Sequence, residues 1–315
     1  MNPRRWAWLL LPLAAALALS ACGGGGGETK TARLLVMNQN VLHGFINEDP
    51  AAEPFDRFPE RIELIGAALA EAQPDIVTLQ EIFGQPPQGY VDVRAALRAA
   101  LGDEYSQTFG SFLGDPIGEG ALGQLTLTRF EVISRENRTV SAIRSVHRVT
   151  VQTGAGPVSI YNAHLEGTGA VLETGEPAEL QEIENVISFI QETRDGHPAI
   201  LAGDLNAEPD DPSVQRLLQE GFIDALAADG NATCQQIGDP GCTNSAIPLG
   251  DNQKNLADHR IDYIFVLPGD DVSVEVTEAS LWDNEPVDIG DGHHLWPSDH
   301  IGVRAVLELK VLKAK

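Results

Sequence analysis

Apolar runs of strand length recur along this chain, and several of them stop on a side chain that carries an oxygen or an imidazole. LLVMNQN ends at Asn40, DIVTLQE at Glu81, VSIYNAH at His164, and AILAGDLN at Asp204 and Asn206. Asp262 lies within HRIDYIFV, and WPSDHIGV places Asp299 and His300 at the start of the last run. In an extended chain residues i and i+2 share a face, so Asp204 and Asn206 would point to one spot while Leu205 turns away. Asp and Asn are poor strand formers. The alternative reading of this stretch is a turn, with Asp211-Pro212 as N-cap and first residue of a helix over PSVQRLLQE.

Helical stripes separate the runs. PERIELIGAALAEAQ has Ile62, Ile65 and Leu69 at i, i+3 and i+7, with Pro74 closing it and Gly66 weakening it. YVDVRAALRAAL forms a second expected helix. AELQEIENVISFIQETRD forms a third, with Leu180, Ile183, Val186, Ile187 and Ile190 on one side. GQLTLTRFEVIS, AIRSVHRVTVQT and PVSIYNAHL read as three strands, and a polar loop with Trp282 and Trp296 precedes a final strand, IGVRAVLELKV. Helices alternating with strands, and strands following strands in the middle, predict an α/β chain with mixed sheets and helices outside. No internal repeat or second linker divides it, and one domain is expected over 32–315.

The N-terminus reads differently. MNPRRWAWLLLPLAAALALSAC has two arginines, an apolar run and small residues before a cysteine, the pattern of a secretory signal over 1–21. The run is short for a membrane span. LSAC resembles a bacterial lipobox, which implies cleavage before Cys22 and acylation of that residue. The glycine-rich stretch over 22–31 then serves as a tether, and the chain is expected to be exported and held to the bilayer of a bacterial cell envelope through Cys22. Cys234 and Cys242 remain. In an oxidising compartment they are expected to form a small-loop disulfide, and with no second cysteine pair a zinc site is disfavoured. The net charge of −25 repels polyanions unless a local basic patch or bound cations intervene. No obligate protein partner is implied.

Ligands of α/β sheets bind at the carboxyl ends of parallel strands. An antiparallel last strand would begin at that same edge, bringing Asp299 and His300 to the other groups. Each group alone has an ordinary structural role: a salt bridge for Glu81, a turn for Asn40, a pair with neighbouring Arg260 for Asp262. Together, at one edge, they are harder to explain that way.

In order, NQNV, IVTLQE, NAHL, GDLN, RIDYIF and SDH resemble the blocks of the endonuclease/exonuclease/phosphatase superfamily, which includes pancreatic-type deoxyribonuclease, abasic-site endonucleases, neutral sphingomyelinases and inositol polyphosphate 5-phosphatases. GQLTLTR is similar to a further strand block. The resemblance runs from about Arg33 to Leu309 and implies a four-layer α/β sandwich, two packed mixed β-sheets flanked by helices. The departures are an insertion, INEDPAAEPFDRFPE, and the loop carrying Cys234 and Cys242.

A phosphoester resists water because its oxygens screen phosphorus, and a divalent cation neutralises that screen. Mg²⁺ or Mn²⁺ suits hard oxygen ligands, for which Asn40, Glu81 and Asp299 are the candidates. Asp204 and Asn206 can hold the attacking water, His164 can donate to a phosphate oxygen, and Asp262 can orient and charge His300. The base is left open between Asp204 and His300. No nucleophile elbow or phosphate loop competes. The substrate is a nucleic acid, a phospholipid or a small phosphate ester. Arg129, Arg135, Arg138, Arg144 and Arg148 offer a basic groove for the first, against the overall acidity. Trp282 and Trp296 offer membrane contact for the second. A surface-tethered binding protein with a dead site is the reading of a different class, and the intact acids and histidines weigh against it.

Overall fold

The computed structural model describes residues 30–42, 57–86, 90–112, 122–166, 178–245, 254–283, 285–290 and 292–312. The expected signal, Cys22, most of the tether and most of the insertion before the first helix lie outside them. The first elements are β1 (Thr31–Asn40), α1 (Phe58–Ala72), β2 (Ile76–Phe83), α2 (Val93–Leu101), β3 (Ser106–Ser111) and β4 (Leu122–Thr128). Next come β5 (Glu131–Thr139), β6 (Ser145–Thr153), β7 (Gly156–His164), α3 (Ala178–Thr193), β8 (Ala199–Asp204) and α4 (Pro212–Gln219). The short β9 (Ile223–Asp224) and α5 (Ala225–Ala228) precede β10 (Asp262–Leu267), β11 (Val272–Trp282), β12 (Val287–Gly290), β13 (His293–Leu295) and β14 (Gly302–Val311).

Two six-stranded sheets result, in the orders β11-β14-β1-β2-β4-β3 and β5-β6-β7-β8-β10-β9. Each has one parallel pair, β1 with β2 and β7 with β8, and antiparallel neighbours on both sides. Alternation along the strands decides the layering. Leu34, Val36 and Ile76 of the first sheet meet Val149, Ile160, Ile200 and Ala202 of the second. Met37, Val77 and Leu79 turn the other way, onto Ile62, Ile65 and Leu69 of α1 and Leu97 of α2. Leu201 and Phe265 pack under Ile183, Val186 and Ile190 of α3 and Leu217 of α4. The molecule is therefore a four-layer sandwich of helices, sheet, sheet and helices. Burying each such Leu, Ile or Val contributes about 1.5–3 kcal/mol before entropy opposes it.

Gly66, awkward for α1 on propensity, has a packing reason. A Cβ there would sit 3.0 Å from the Ala100 Cβ of α2. Gly203 is tighter still, since its Cβ would lie 1.9 Å from the Ala163 carbonyl oxygen. Only glycine lets β8 lie this close to β7 one residue before Asp204.

Two sequence expectations need correction. GQLTLTRFEVIS is two strands: the chain leaves the first sheet at Thr128 and enters the second at Glu131. Arg129 pins the crossing, its Nη2 2.8 Å from Asp75 Oδ1, while the Thr128 hydroxyl accepts from Phe130 N at 3.1 Å. The expected polar loop before Trp282 is largely β11, an edge strand whose Glu and Thr side chains mask its alternation. Both tryptophans are buried, and Trp282 Nε1 donates to Asn38 O at 3.2 Å. The disulfide is present between Cys234 and Cys242, with Cα atoms 4.9 Å apart.

Candidate active site

The two parallel pairs end at the same edge. Asn40 and His164 are the last residues of β1 and β7, and Asp204 of β8 lies opposite His164 and Asp262 in register. The antiparallel strands β10 and β14 start at this edge, with Asp262 opening β10 and Asp299 and His300 just ahead of β14.

Glu81 is aimed by a bulge. The β2–β4 register slips between Gln80 and Ile82, and Glu81 takes φ 63°. A non-glycine residue in that region carries about 1–3 kcal/mol of strain, which surrounding structure must hold. The Asn40 amide nitrogen then ties the sheets together, donating to Glu81 Oε1 at 2.8 Å and Asp204 Oδ2 at 3.0 Å. Its oxygen accepts from Leu42 N at 3.1 Å.

Asp204 is the hub. His164 Nε2 lies 3.5 Å and His300 Nε2 3.8 Å from Asp204 Oδ2. Asp204 Oδ1 accepts from Asn206 N at 2.9 Å. Asn206 does not extend the strand as the shared-face expectation had it. It sits at φ 50° and its side chain donates to Leu165 O at 3.0 Å, so the backbone is a turn closed on the Asp204 carboxylate. Both readings of this stretch thus hold in part: the backbone turns, and the acid is buried in the cluster.

His300 Nδ1 lies 2.9 Å from Asp262 Oδ2. Arg260, the alternative partner for Asp262, instead pairs with buried Asp224 and stacks over Tyr263. Ser298 steadies the approach to β14: its hydroxyl donates to Asn40 O at 2.8 Å, lies 3.2 Å from Asp299 Oδ1, and accepts from His300 N at 3.2 Å.

The electrostatics follow from crowding acids out of water. Burial first, and then Asp262, push the Asp204 carboxyl up to about 7, against the pull of His300 and Asn40. Burial and Glu81 likewise raise Asp299. For His300 burial opposes charge, yet Asp262, Asp204 and Asp299 outweigh it and hold the imidazole well above its usual range.

Sequence reasoning missed several contributors. Arg61, buried on α1, donates to Trp296 O and feels the charge of Asp299. Its signal was an arginine inside an apolar stripe. Phe112 packs edge-on to His164 with centroids 5.2 Å apart. The expected basic groove is largely neutralised. Arg129 pairs with Asp75, Arg138 with Glu136 and Glu192, Arg148 with Glu136, and Arg144 lies 3.9 Å from Glu166.

Residues 37–300 match the model of a family described as Endonuclease/Exonuclease/phosphatase family. A Drosophila melanogaster protein named "Putative neutral sphingomyelinase" is 31% identical over 281 residues, covering 82% of this chain. The match spans 58% of that relative's length. A solved endonuclease/exonuclease/phosphatase family protein from Bacteroides thetaiotaomicron superposes with TM-score 0.68 at 17% identity, covering 89% of this chain and 96% of that one. The mannosyl-6-phosphatase of the same species gives TM-score 0.64 at 18% identity over 87% and 99% of the two chains. D. rerio TDP2 with a single-strand DNA product gives 0.61 at 19% over 88% and 99%.

Proposed function

Since the chain belongs to the Endonuclease/Exonuclease/phosphatase family, whose members are phosphoester hydrolases, we propose that it is a divalent-metal-dependent phosphoesterase acting on a phosphodiester. The observation that carries this reading is the meeting of Asn40, Glu81, His164, Asp262 and His300 around Asp204 from both sheets. A cation fits the donor set, because the site crowds acids together out of water, and burial with a neighbouring carboxylate pushes both Asp204 and Asp299 upward. Ligand atoms of Glu81, His164 and Asp204 lie within 4.8 Å of one another, whereas in the like grouping of Asp204, Asp262 and His300 the imidazole is taken up by its pair with Asp262. Glu81 and Asp299, with Asn40, would hold Mg²⁺ or Mn²⁺, ions that prefer hard oxygens. When bound, the ion neutralises phosphate oxygens and the charge that develops on them.

The remaining steps belong to the chain's own groups. Asp204, held near neutral pKa, orients water and takes its proton as the new oxygen–phosphorus bond forms and the phosphorus–oxygen bond to the leaving group breaks, the departing oxygen taking a proton from solvent. His300, kept charged by Asp262, donates to a phosphate oxygen, which in this reading assigns the base to Asp204. His164 donates from the opposite sheet. Asn206 fixes the Asp204 carboxylate through its N–H. We expect exhaustive chelation to silence turnover of bis(p-nitrophenyl) phosphate and Mg²⁺ or Mn²⁺ to restore it. Turnover that survives chelation would sink the metal-dependent reading.

The 31% identity favours one substrate in particular, the headgroup phosphodiester of a sphingomyelin-type lipid. Release of phosphocholine from sphingomyelin vesicles, set beside nucleic acid and small phosphate esters, separates these choices. The paired arginines weigh against a long polyanion.

We further propose that 1–21 is a lipoprotein signal, that acylated Cys22 anchors the chain to a cell-envelope bilayer, and that 22–31 tethers the domain over 32–315. The sequence pattern ahead of Cys22 supports this. Cys22→Ala should release the chain from membranes or leave it held by an uncleaved signal. Wild-type chain in the soluble exported fraction without acyl mass on Cys22 would contradict it.

A further inference from the structure

Asp262 and His300 come from different sheets, and the segment that laces their approaches together is the end of the disulfide loop. Cys242 and Thr243 are fully buried. Thr243 N and Asn244 N both donate to His259 O, at 2.7 and 3.0 Å, and His259 N donates back to Asn244 O at 3.0 Å. On the other flank Ile301 N donates to Thr243 O at 2.6 Å, and Asn244 forms a bridge with His300. The Thr243 hydroxyl oxygen accepts from two consecutive backbone groups, Ile261 N and Asp262 N, each at 3.1 Å. One residue thus grips the chain at Asp262 with its side chain and next to His300 with its carbonyl.

We propose that Thr243 is a positioning residue for the Asp262–His300 pair, fixing the backbone at Asp262 so that its carboxylate meets the imidazole. The catalytic meaning rests on the phosphoesterase reading, and the positional meaning does not. Valine at this site keeps the shape but removes the acceptor, leaving two buried N–H groups without their partner and free to draw the start of β10 out of place. Serine keeps the acceptor.

The test compares full-length Thr243→Val and Thr243→Ser with wild type, on bis(p-nitrophenyl) phosphate with Mg²⁺ and by ¹⁵N NMR of the His300 ring in metal-free protein. Thr243→Val should lower kcat by roughly tenfold to a hundredfold, the scale of a small misplacement of reacting groups, and leave KM within about twofold. Thr243→Ser should recover most of the loss. The His300 Nδ1 resonance, assigned by its absence in His300→Ala, should move in Thr243→Val and stay in place in Thr243→Ser. An unmoved resonance in Thr243→Val overturns the proposal, as does equal loss of kcat in both variants. If wild type hydrolyses no phosphoester probe, the functional reading fails instead, and the resonance still decides the positional one.

Discussion

Replacing Asp204 by asparagine will abolish turnover while leaving the melting temperature unchanged or higher. Asp204 is almost wholly buried, and its carboxyl is already pushed up to about 7 by that burial and by Asp262. Keeping it ionised therefore costs the fold free energy, which a neutral amide of the same shape avoids. Asn206 N can still donate to the side-chain oxygen, so the turn after β8 survives; the Asn40 amide loses its acceptor at the other atom, a cost that the relief of the buried charge offsets. The reaction loses the group assigned to take the proton from water, and general bases contribute about a hundredfold to ten-thousandfold. The measurement is kcat beside thermal melts. A variant with near wild-type kcat would remove Asp204 from the chemistry, and one that fails to fold would contradict the burial argument.

Asp262→Asn should move the alkaline limb of the rate profile to lower pH. Burial of His300 favours the neutral ring, and Asp262, through charge and a hydrogen bond, is the foremost influence holding it charged. A group with a raised pKa stays protonated up to that value, so the limb it governs in wild type lies well above the ordinary histidine range, about 6.5. Removing the Asp262 charge lets burial count for more, and His300 loses its proton earlier as pH rises. Near neutral pH kcat falls by about tenfold or more, since less enzyme carries the donating ring. Metal affinity should change little, because Asp262 is assigned to the histidine. Superimposable alkaline limbs in wild type and variant would exclude His300 as the charged donor.

How much of this was legible in the sequence depended on whether a signal was local. Asn40, Glu81, His164, Asp204 and the later groups stood out because each interrupts or ends an apolar run, and the sheets bring those ends together. The choice between Arg260 and His300 as partner of Asp262 was not legible. It is made by Asp224, a residue 36 positions before Arg260 that takes the guanidinium away. The break at Arg129 was hidden because both halves have strand character, and the contacts that mark where the chain changes sheets, such as the ion pair with Asp75, come from a distant segment. Thr243 lay inside a Gly/Pro/Asn loop with no periodicity, and its value comes entirely from backbone groups far along the chain.

The pairing of β1 with β14 fixes which way the molecule faces. Thr31 lies opposite Lys310, while the site sits at the other end of the same two strands. Ten residues of β1 span about 33 Å, so whatever joins the chain ahead of Thr31 enters at the far pole from Asn40. A glycine leash of roughly ten residues has a mean reach of only about 15–20 Å. If Cys22 is the anchor, as proposed, a leash of that mean reach would be too short to roll the site down comfortably onto the bilayer beneath it. The catalytic mouth would look outward, toward phosphodiesters arriving in solution or presented by an opposing membrane, and away from the lipids that hold it.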